Sequence, residues 1–297
     1  MKLTEKLRDD FERGHLNKRE YVEKMWKCHE VLFGYSDFLL NTDVSSVTLK
    51  DGRVAVSFRS FPIALFIPKD DRSSVPIMAI NFREYEKQYA FHMMEIMKGR
   101  RVFFDIGANV GYYSMIASKL YPHMQIYSFE PVPRTFCELE ANVKLNEAEN
   151  VRPIPIALSD RVADAVIFYD EKEAVAASFR DIRERKEAVA RIDVKTTTLD
   201  VFCECNNVFP DFIKCDVEGA ELDVFKGSVE VLKHSKPIIF VEILRKWCAK
   251  FGHRANDVLF FLKEFGYVAN VLKNGSVVPV FEITDETEDT NFIFIPK

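Results

Sequence analysis

The sequence predicts an α/β fold: a parallel sheet with right-handed crossover helices over residues 99–297, preceded by an α+β segment over residues 1–98. Three observations carry this. From residue 99 onward, short apolar runs alternate with stretches of helical period, the pattern of strand–helix–strand units. Several of those runs stop at a glycine or a carboxylate, as strands do where they open into a loop and a helix. Before residue 99 the period changes without settling into that alternation.

Composition narrows the rest. At ~150 residues per domain, 297 residues make one large domain or two modest ones. With 47% hydrophobic and 29% charged residues the chain is an ordinary globular mixture, which excludes collagen-like, disordered and disulfide-scaffold classes. A net charge of -5 offers no basic field to nucleic acid or anionic membrane. The six cysteines are scattered, and Cys203 and Cys205 are too close for C-x-x-C, so reduced thiols in a cytoplasmic protein are expected. Residues 1–12 lack an apolar h-region, and no apolar run approaches the ~20 residues of a bilayer span. Neither a signal peptide nor a membrane span is expected.

The elements follow in order. Residues 1–40 have helical spacing (Leu7, Phe11, Leu16, Tyr21, Met25, Leu32) among many charges. Two alternating runs around Asp51-Gly52 predict a tight hairpin. Residues 61–68 form a short strand, 69–76 a polar loop, and 80–98 a helical stretch. In the regular part, strands are predicted at 102–106, 125–129, 151–158, 212–215 and 237–243, with helices at 112–120, 133–146, 221–232 and 257–265. Residues 160–200 interrupt the alternation with β-like runs at 166–169 and 194–197 around a charged stretch, 180–187, read as a solvated insertion. The runs 276–281 and 291–295 are expected to pair antiparallel at a sheet edge.

Chemistry concentrates at strand ends. Asp105-Ile106-Gly107-Ala108-Asn109-Val110-Gly111 lies at the first strand–helix turn, where open α/β sheets bind ligands. Its G-x-x-x-G spacing is neither the G-x-G-x-x-G of dinucleotide sites nor a P-loop. A carboxylate at Asp105 would repel a pyrophosphate but suits a ligand carrying a cationic amino acid; S-adenosylmethionine has an ammonium, a sulfonium and no phosphate. Glu130 ends the second strand, 25 residues further on, where a carboxylate can accept from ribose hydroxyls. Helix-cap or turn duty would also account for either acid alone. The third strand ends at Ser159-Asp160, an ordinary turn or a partner for an adenine amino group.

The segment 213–221 places Asp216, Glu218 and Glu221 within six residues at the fourth strand end. Asp216 is the candidate base or orienting group for a hydroxyl, with Glu242 and His253 as further catalytic candidates. Glu221 is accounted for by the helix dipole. Asp216 and Glu242 lack a histidine or a third ligand, so no metal site is assigned. Arg245, Lys246, Lys250 and Arg254 read as a solvated basic face near the substrate side.

The runs DIGANVGYYS (105–114), SFEP (128–131), NVKLN (142–146), ALSD (157–160), TTLD (197–200), IKCDVEGAELDVFKG (213–227), FVEIL (240–244) and NFIFIP (291–296) resemble the FkbM family of S-adenosylmethionine-dependent methyltransferases. The resemblance spans residues 101–297 and implies a class I, Rossmann-like methyltransferase sheet of seven strands with the last antiparallel. It implies O-methylation of a sugar, glycoconjugate or natural-product hydroxyl, with S-adenosylhomocysteine as the other product. Carried over by position, Asp105, Gly107, Ala108, Asn109, Gly111, Tyr112, Glu130 and Pro131 would hold the methionine and ribose parts of the cofactor. Ser159 and Asp160 would lie near adenine, and Asp216 beside the transferring methyl. Cys215 departs mildly from the family pattern. The implied partner is a small-molecule or glycan acceptor. The front segment would cover the site or form a homo-oligomer contact. Two rivals differ in class: an NAD-type oxidoreductase, opposed by Asp105 and the missing G-x-G-x-x-G, and a non-catalytic nucleoside-binding protein, opposed by the joint presence of Asp105, Glu130 and Asp216.

Overall fold

Asn17 begins the longest helix of the computed structural model, which describes residues 2–170, 173–180, 190–273 and 275–297. The Asn17 side chain accepts from the Glu20 amide, and the Glu20 carboxylate accepts from the Asn17 amide, both at 3.0 Å. That capping box separates α1 (Leu3–Glu12) from α2 (Lys18–Phe38). Among these residues only Leu7 is buried. A 3₁₀ turn leads into β1 (Val44–Lys50) and β2 (Arg53–Phe58), joined at Asp51-Gly52, both with positive φ as a twisted two-residue hairpin requires. The strand β3 (Ala64–Phe66) completes a three-stranded antiparallel sheet. The helical stretch expected over 80–98 is two helices, α3 (Val75–Phe82) and α4 (Lys87–Met97). They are separated where Arg83 and Glu86 adopt φ of 73° and 42°.

The regular part begins with β4 (Val102–Ile106), α5 (Tyr112–Leu120), β5 (Gln125–Phe129), α6 (Pro133–Leu145) and β6 (Val151–Ile154). An inserted four-stranded sheet follows, built from β7 (Ala157–Leu158), β8 (Ala163–Asp170), β9 (Glu173–Ser178) and β10 (Ala190–Thr197) in the order β7-β10-β8-β9. Then come α7 (Leu199–Asn206), β11 (Phe212–Cys215), α8 (Glu221–Lys226), α9 (Val229–His234), β12 (Ile238–Glu242), α10 (Arg245–Lys250), α11 (Ala255–Glu264), β13 (Tyr267–Lys273), β14 (Ser276–Pro279) and β15 (Asn291–Pro296).

The main sheet runs β14-β13-β15-β12-β11-β4-β5-β6. Strands β12, β11, β4, β5 and β6 are parallel, and β15 lies antiparallel between β12 and β13. The chain winds outward from β4 to β6 and restarts at β11 on the other side of β4. The switch in strand order therefore falls between β4 and β11, where a crevice opens at the strand carboxyl ends.

Four expectations are corrected. The sheet has eight strands rather than seven, because β13 carries a hairpin partner, β14, at the edge. The runs at 276–281 and 291–295 do not pair with each other: β15 passes inside β13 instead. The third strand stops at Ile154, and Ala157–Leu158 leaves for the inserted sheet by pairing with Thr196 and Thr197. The helix expected over 221–232 breaks at Gly227-Ser228, where a Cβ on Gly227 would stand 2.1 Å from the Ser159 carbonyl oxygen. Of the charged stretch 180–187, all but Arg180 lies outside the described residues.

Parallel strands are buried on both faces, and alternate residues here feed two cores. Phe104, Ile213 and Ile239 face one core with Phe225 and Leu232. Phe103, Phe212 and Phe240 face the other, with Met115 and Ile116 of α5 and Met93 and Met97 of α4. The front segment thus supplies one layer of the second core. No helix among the described residues is long and apolar enough to cross a membrane.

Candidate active site

A cavity of about 370 Å³ opens at the carboxyl ends of β4, β5, β11 and β12. Its floor is the turn after β4. Gly107 has φ +77°, and a Cβ there would lie 1.8 Å from the Asp216 carbonyl oxygen, so only glycine lets the ends of β4 and β11 approach this closely. Gly107 and Ala108 donate their amides to the Phe129 carbonyl, both at 3.0 Å, and Asn109 follows with φ 51°. Gly111 opens α5 at φ +88° beneath Leu139 and does not line the cavity.

Glu130 holds this turn from β5. It is 6% exposed and accepts the Asn109 amide at 3.0 Å and the Val132 amide at 2.9 Å. Burial pushes its carboxyl up to about 7, against those two donors. A carboxylate has about four acceptor positions, and the two backbone amides fill about half of them. Asp105 lies just behind the wall, 1% exposed. Its Oδ2 accepts from Ser114 Oγ at 2.6 Å, and its Oδ1 accepts no hydrogen bond among the described residues. Burial raises its value above the usual carboxylate range.

Between Asp105 and Asp216 stands Lys214, a residue of the 213–227 motif to which no role was assigned. Its Nζ donates to Asp216 Oδ2 at 3.1 Å, lies 3.9 Å from Asp105 Oδ1, and sits over the Tyr113 ring. Burial pulls the ammonium down, but Asp216, Asp105 and Glu86 together raise it above its ordinary value. The signal for it was a lysine inside an otherwise apolar strand, where lysine is rarely buried unless paired.

The front segment supplies residues that no sequence signal marked. Tyr85 and Glu86, between α3 and α4, line the cavity. Two hydroxyls from the start of α5 hold them there: Tyr112 Oη donates to the Tyr85 carbonyl at 3.1 Å, and Tyr113 Oη donates to Glu86 Oε2 at 2.7 Å. Burial raises the Glu86 carboxyl. Across the cavity, burial, then the charges of Asp216, Glu218 and Glu86, push Glu242 well above the usual carboxylate range, which favours its protonated form.

Of the sequence candidates, Gly107, Ala108, Asn109, Tyr112, Glu130, Pro131, Asp216 and Glu242 all line the cavity. Ser159, Asp160 and His253 do not. The chain turns into the inserted sheet two residues early, so Ser159 packs on Gly227 and Asp160 takes both of its ion-pair contacts from Arg161. His253 Nε2 lies 3.1 Å from the Gly219 carbonyl oxygen, under the loop rather than in the cavity. Glu221 is buried and accepts from the Val217 and Gly219 amides, so it holds that loop rather than merely meeting a helix dipole. Of the basic residues after β12, Lys246 reaches the cavity, seated 4.3 Å over the Trp247 ring; Arg254 pairs with Asp257. The inserted sheet forms a wall through Ala157, Leu158, Ile167 and Ser178, and Ser178 Oγ donates to the Glu218 carbonyl at 2.9 Å.

Comparison with known proteins shows the family. The Methyltransferase FkbM domain matches residues 105–269. Methyltransferase sdnD of Sordaria araneosa is 29% identical over 179 residues, 49% of this chain and 68% of that protein. Hexuronic acid methyltransferase AglP of Haloferax volcanii is 31% identical over 143 residues, 48% of this chain and 55% of that protein. 2-O-methyltransferase NoeI of Sinorhizobium fredii is 29% identical over 148 residues, 46% of this chain and 60% of that protein. The matched segment therefore spans less than two thirds of the last two. A solved structure, methyltransferase FkbM of Methylobacillus flagellatus, superposes with a TM-score of 0.43 at 14% identity, covering 74% of this chain and 52% of that one. With more than half of the chain matched, from Asp105 to Ala269, it belongs to the FkbM methyltransferase family.

Proposed function

We propose that the protein transfers a methyl group from S-adenosylmethionine to a hydroxyl of a sugar, glycoconjugate or other natural product. The observation that carries the donor half is the pair of acids flanking Gly107. Glu130 borders the cavity and holds the 107–109 turn through two backbone amides, and Asp105, behind the wall and 3.9 Å from the Lys214 ammonium, adds a second carboxylate under that turn. Those features fit a ligand with an ammonium and a ribose diol and disfavour a pyrophosphate. The names of AglP and NoeI, which act on a hexuronic acid and at a 2-O position, support the acceptor half.

When bound, S-adenosylmethionine supplies an electrophilic sulfonium methyl. Glu130 would accept from the ribose hydroxyls, and the 107–109 turn would carry the amino-acid end. The chain's first task at the acceptor is positional: holding the hydroxyl in line with the methyl carbon would supply much of the acceleration. Asp216 would accept the hydroxyl proton, its other oxygen fixed by Lys214. Glu242, in its protonated form, would donate to the acceptor without adding a second negative charge. Glu86 would orient the acceptor from the front segment, which serves as an accessory cap. A cytoplasmic site of action is part of the same proposal and rests on the cysteine spacing.

Calorimetry with S-adenosylhomocysteine and with NAD, followed by labelled-methyl transfer to a panel of glycosyl acceptors, tests this. Heat with S-adenosylhomocysteine alone and label on a hydroxyl oxygen are expected, and Asp216→Asn should bind but not turn over. Heat with NAD alone would sink the donor assignment. Binding without transfer to any acceptor would favour a nucleoside-binding protein.

A further inference from the structure

The helix α2 runs 21 residues, about 31 Å at 1.5 Å per residue, and buries none of them. Helices in proteins draw most of their stability from packing an apolar face. This one leaves Val22, Trp26, Leu32, Phe33, Tyr35 and Phe38 between 48% and 64% exposed. At ~150–250 Å² per aromatic side chain that is roughly 700 Å² of uncovered apolar surface on one helix. The largest patch on a typical monomer is about 300–600 Å², and a stable interface needs about 800 Å² from each partner. The surface is sized for a protein partner.

Charge says which partner. Residues 2–40 hold eight Lys and Arg against eight Asp and Glu, so no basic excess draws the hairpin to anionic lipid. Within α2 the charges are segregated. Residues 18–27 carry Lys18, Arg19, Lys24 and Lys27 against Glu20 and Glu23, a net +2. Residues 28–38 carry Glu30 and Asp37, a net −2. An antiparallel copy of the same helix sets each half against its opposite, and the helix dipoles also oppose. A two-fold pair of this kind is self-complementary, as an isologous interface must be.

Packing sets the register. Trp26 and Phe33 share one side of α2, their ring centroids 5.7 Å apart. Next to Phe33, Gly34 has no atom within 4 Å of where a Cβ would stand. Glycine costs an exposed helix about 1 kcal/mol relative to alanine, and nothing among the described residues uses the space. A facing Trp26 ring would fill that notch, and Trp26 of each copy against Phe33 of the other puts the dyad between residues 29 and 30.

We propose that the α1–α2 hairpin is a dimerisation arm whose partner is a second copy of this chain, packed antiparallel along α2. No residue of the arm lines the cavity, so the proposal stands apart from the catalytic reading.

Sedimentation equilibrium of the full chain up to about 100 µM tests it, since the dimer fraction follows mass action. The wild type is expected at twice the 34.4 kDa of one chain. Trp26→Glu with Phe33→Glu should sediment as a monomer whose thermal midpoint, unlike that of the wild type, does not depend on protein concentration. Because that variant could also disturb the hairpin, a charge series accompanies it. Lys18→Glu with Lys24→Glu should weaken the dimer about tenfold, a loss of about 1.4 kcal/mol. Adding Glu30→Lys and Asp37→Lys should restore it. A monomeric wild type at the highest concentration, a dimer indifferent to both variant sets, or a fourfold variant that fails to recover each overturns the proposal. Vesicle binding by a monomeric wild type overturns it in favour of a membrane surface.

Discussion

Replacing Glu130 by glutamine separates what this carboxylate does for the fold from what it does for the ligand. The group is buried and its carboxyl lies near 7 instead of the ordinary 4.5. The folded chain therefore holds this proton more tightly than the unfolded chain. Its stabilising contribution is complete below pH 4.5 and is lost as pH rises through about 7. The interval between the two values corresponds to about 3 kcal/mol. Glutamine has no such slope. It does present its amide nitrogen to one of the two backbone donors, Asn109 N or Val132 N, at a cost of about 1–3 kcal/mol at every pH. The Glu130→Gln variant is thus expected to be less stable than wild type at pH 5 and to draw level or pass it by pH 8. Urea midpoints at four pH values measure the crossing. Ribose hydroxyls donating to Glu130 would favour its charged form, so S-adenosylhomocysteine should bind wild type more tightly as pH rises from 6 to 8 and bind the variant with a flat profile. A variant that trails wild type by a constant amount across the range refutes the buried-proton argument.

Three further outcomes are expected. Gly107→Ala forces the ends of β4 and β11 apart and adds about 1 kcal/mol of left-handed strain; calorimetry should show S-adenosylhomocysteine affinity down more than tenfold. Lys214→Met leaves the buried Asp105 carboxylate without its ammonium and should cost about 3–5 kcal/mol in denaturant at pH 8, less at pH 5, because burial raises Asp105 above the usual carboxylate range. Glu86→Gln keeps an acceptor for Tyr113 and should leave S-adenosylhomocysteine affinity unchanged while methyl transfer falls by about tenfold; parallel binding and turnover assays separate the two.

The sequence was most legible where strands are buried on both faces. The bounds of β4, α5, β5 and β11 coincide with those read from apolar runs ended by glycine or acid, because a parallel strand between helices has no polar face to blur its limits. Legibility failed where neighbours are chosen over long distances. The strand β13 mixes Asn270 and Lys273 into its apolar residues and was not recognised. The short β7 was joined to β6 because two sheets continue one run of sequence. The site divides in the same way. Its floor is a local motif, while Tyr85 and Glu86 reach it only by the packing of α3 and α4 on the second core, and nothing in their own neighbourhood announces that.

The position of β15 has a consequence for how the molecule is made. The strand formed from residues 291–296 is the last of the eight to leave the ribosome, yet it sits inside the sheet. Until it arrives, β12 offers Ile238, Ile239, Phe240 and Val241 along an open edge, and the β13–β14 hairpin has no strand to dock on. The nascent chain thus carries an apolar strand edge of the kind that recruits neighbours. Closure of the sheet is a late, long-range event, and the interval before it is when this protein is most exposed to misassembly.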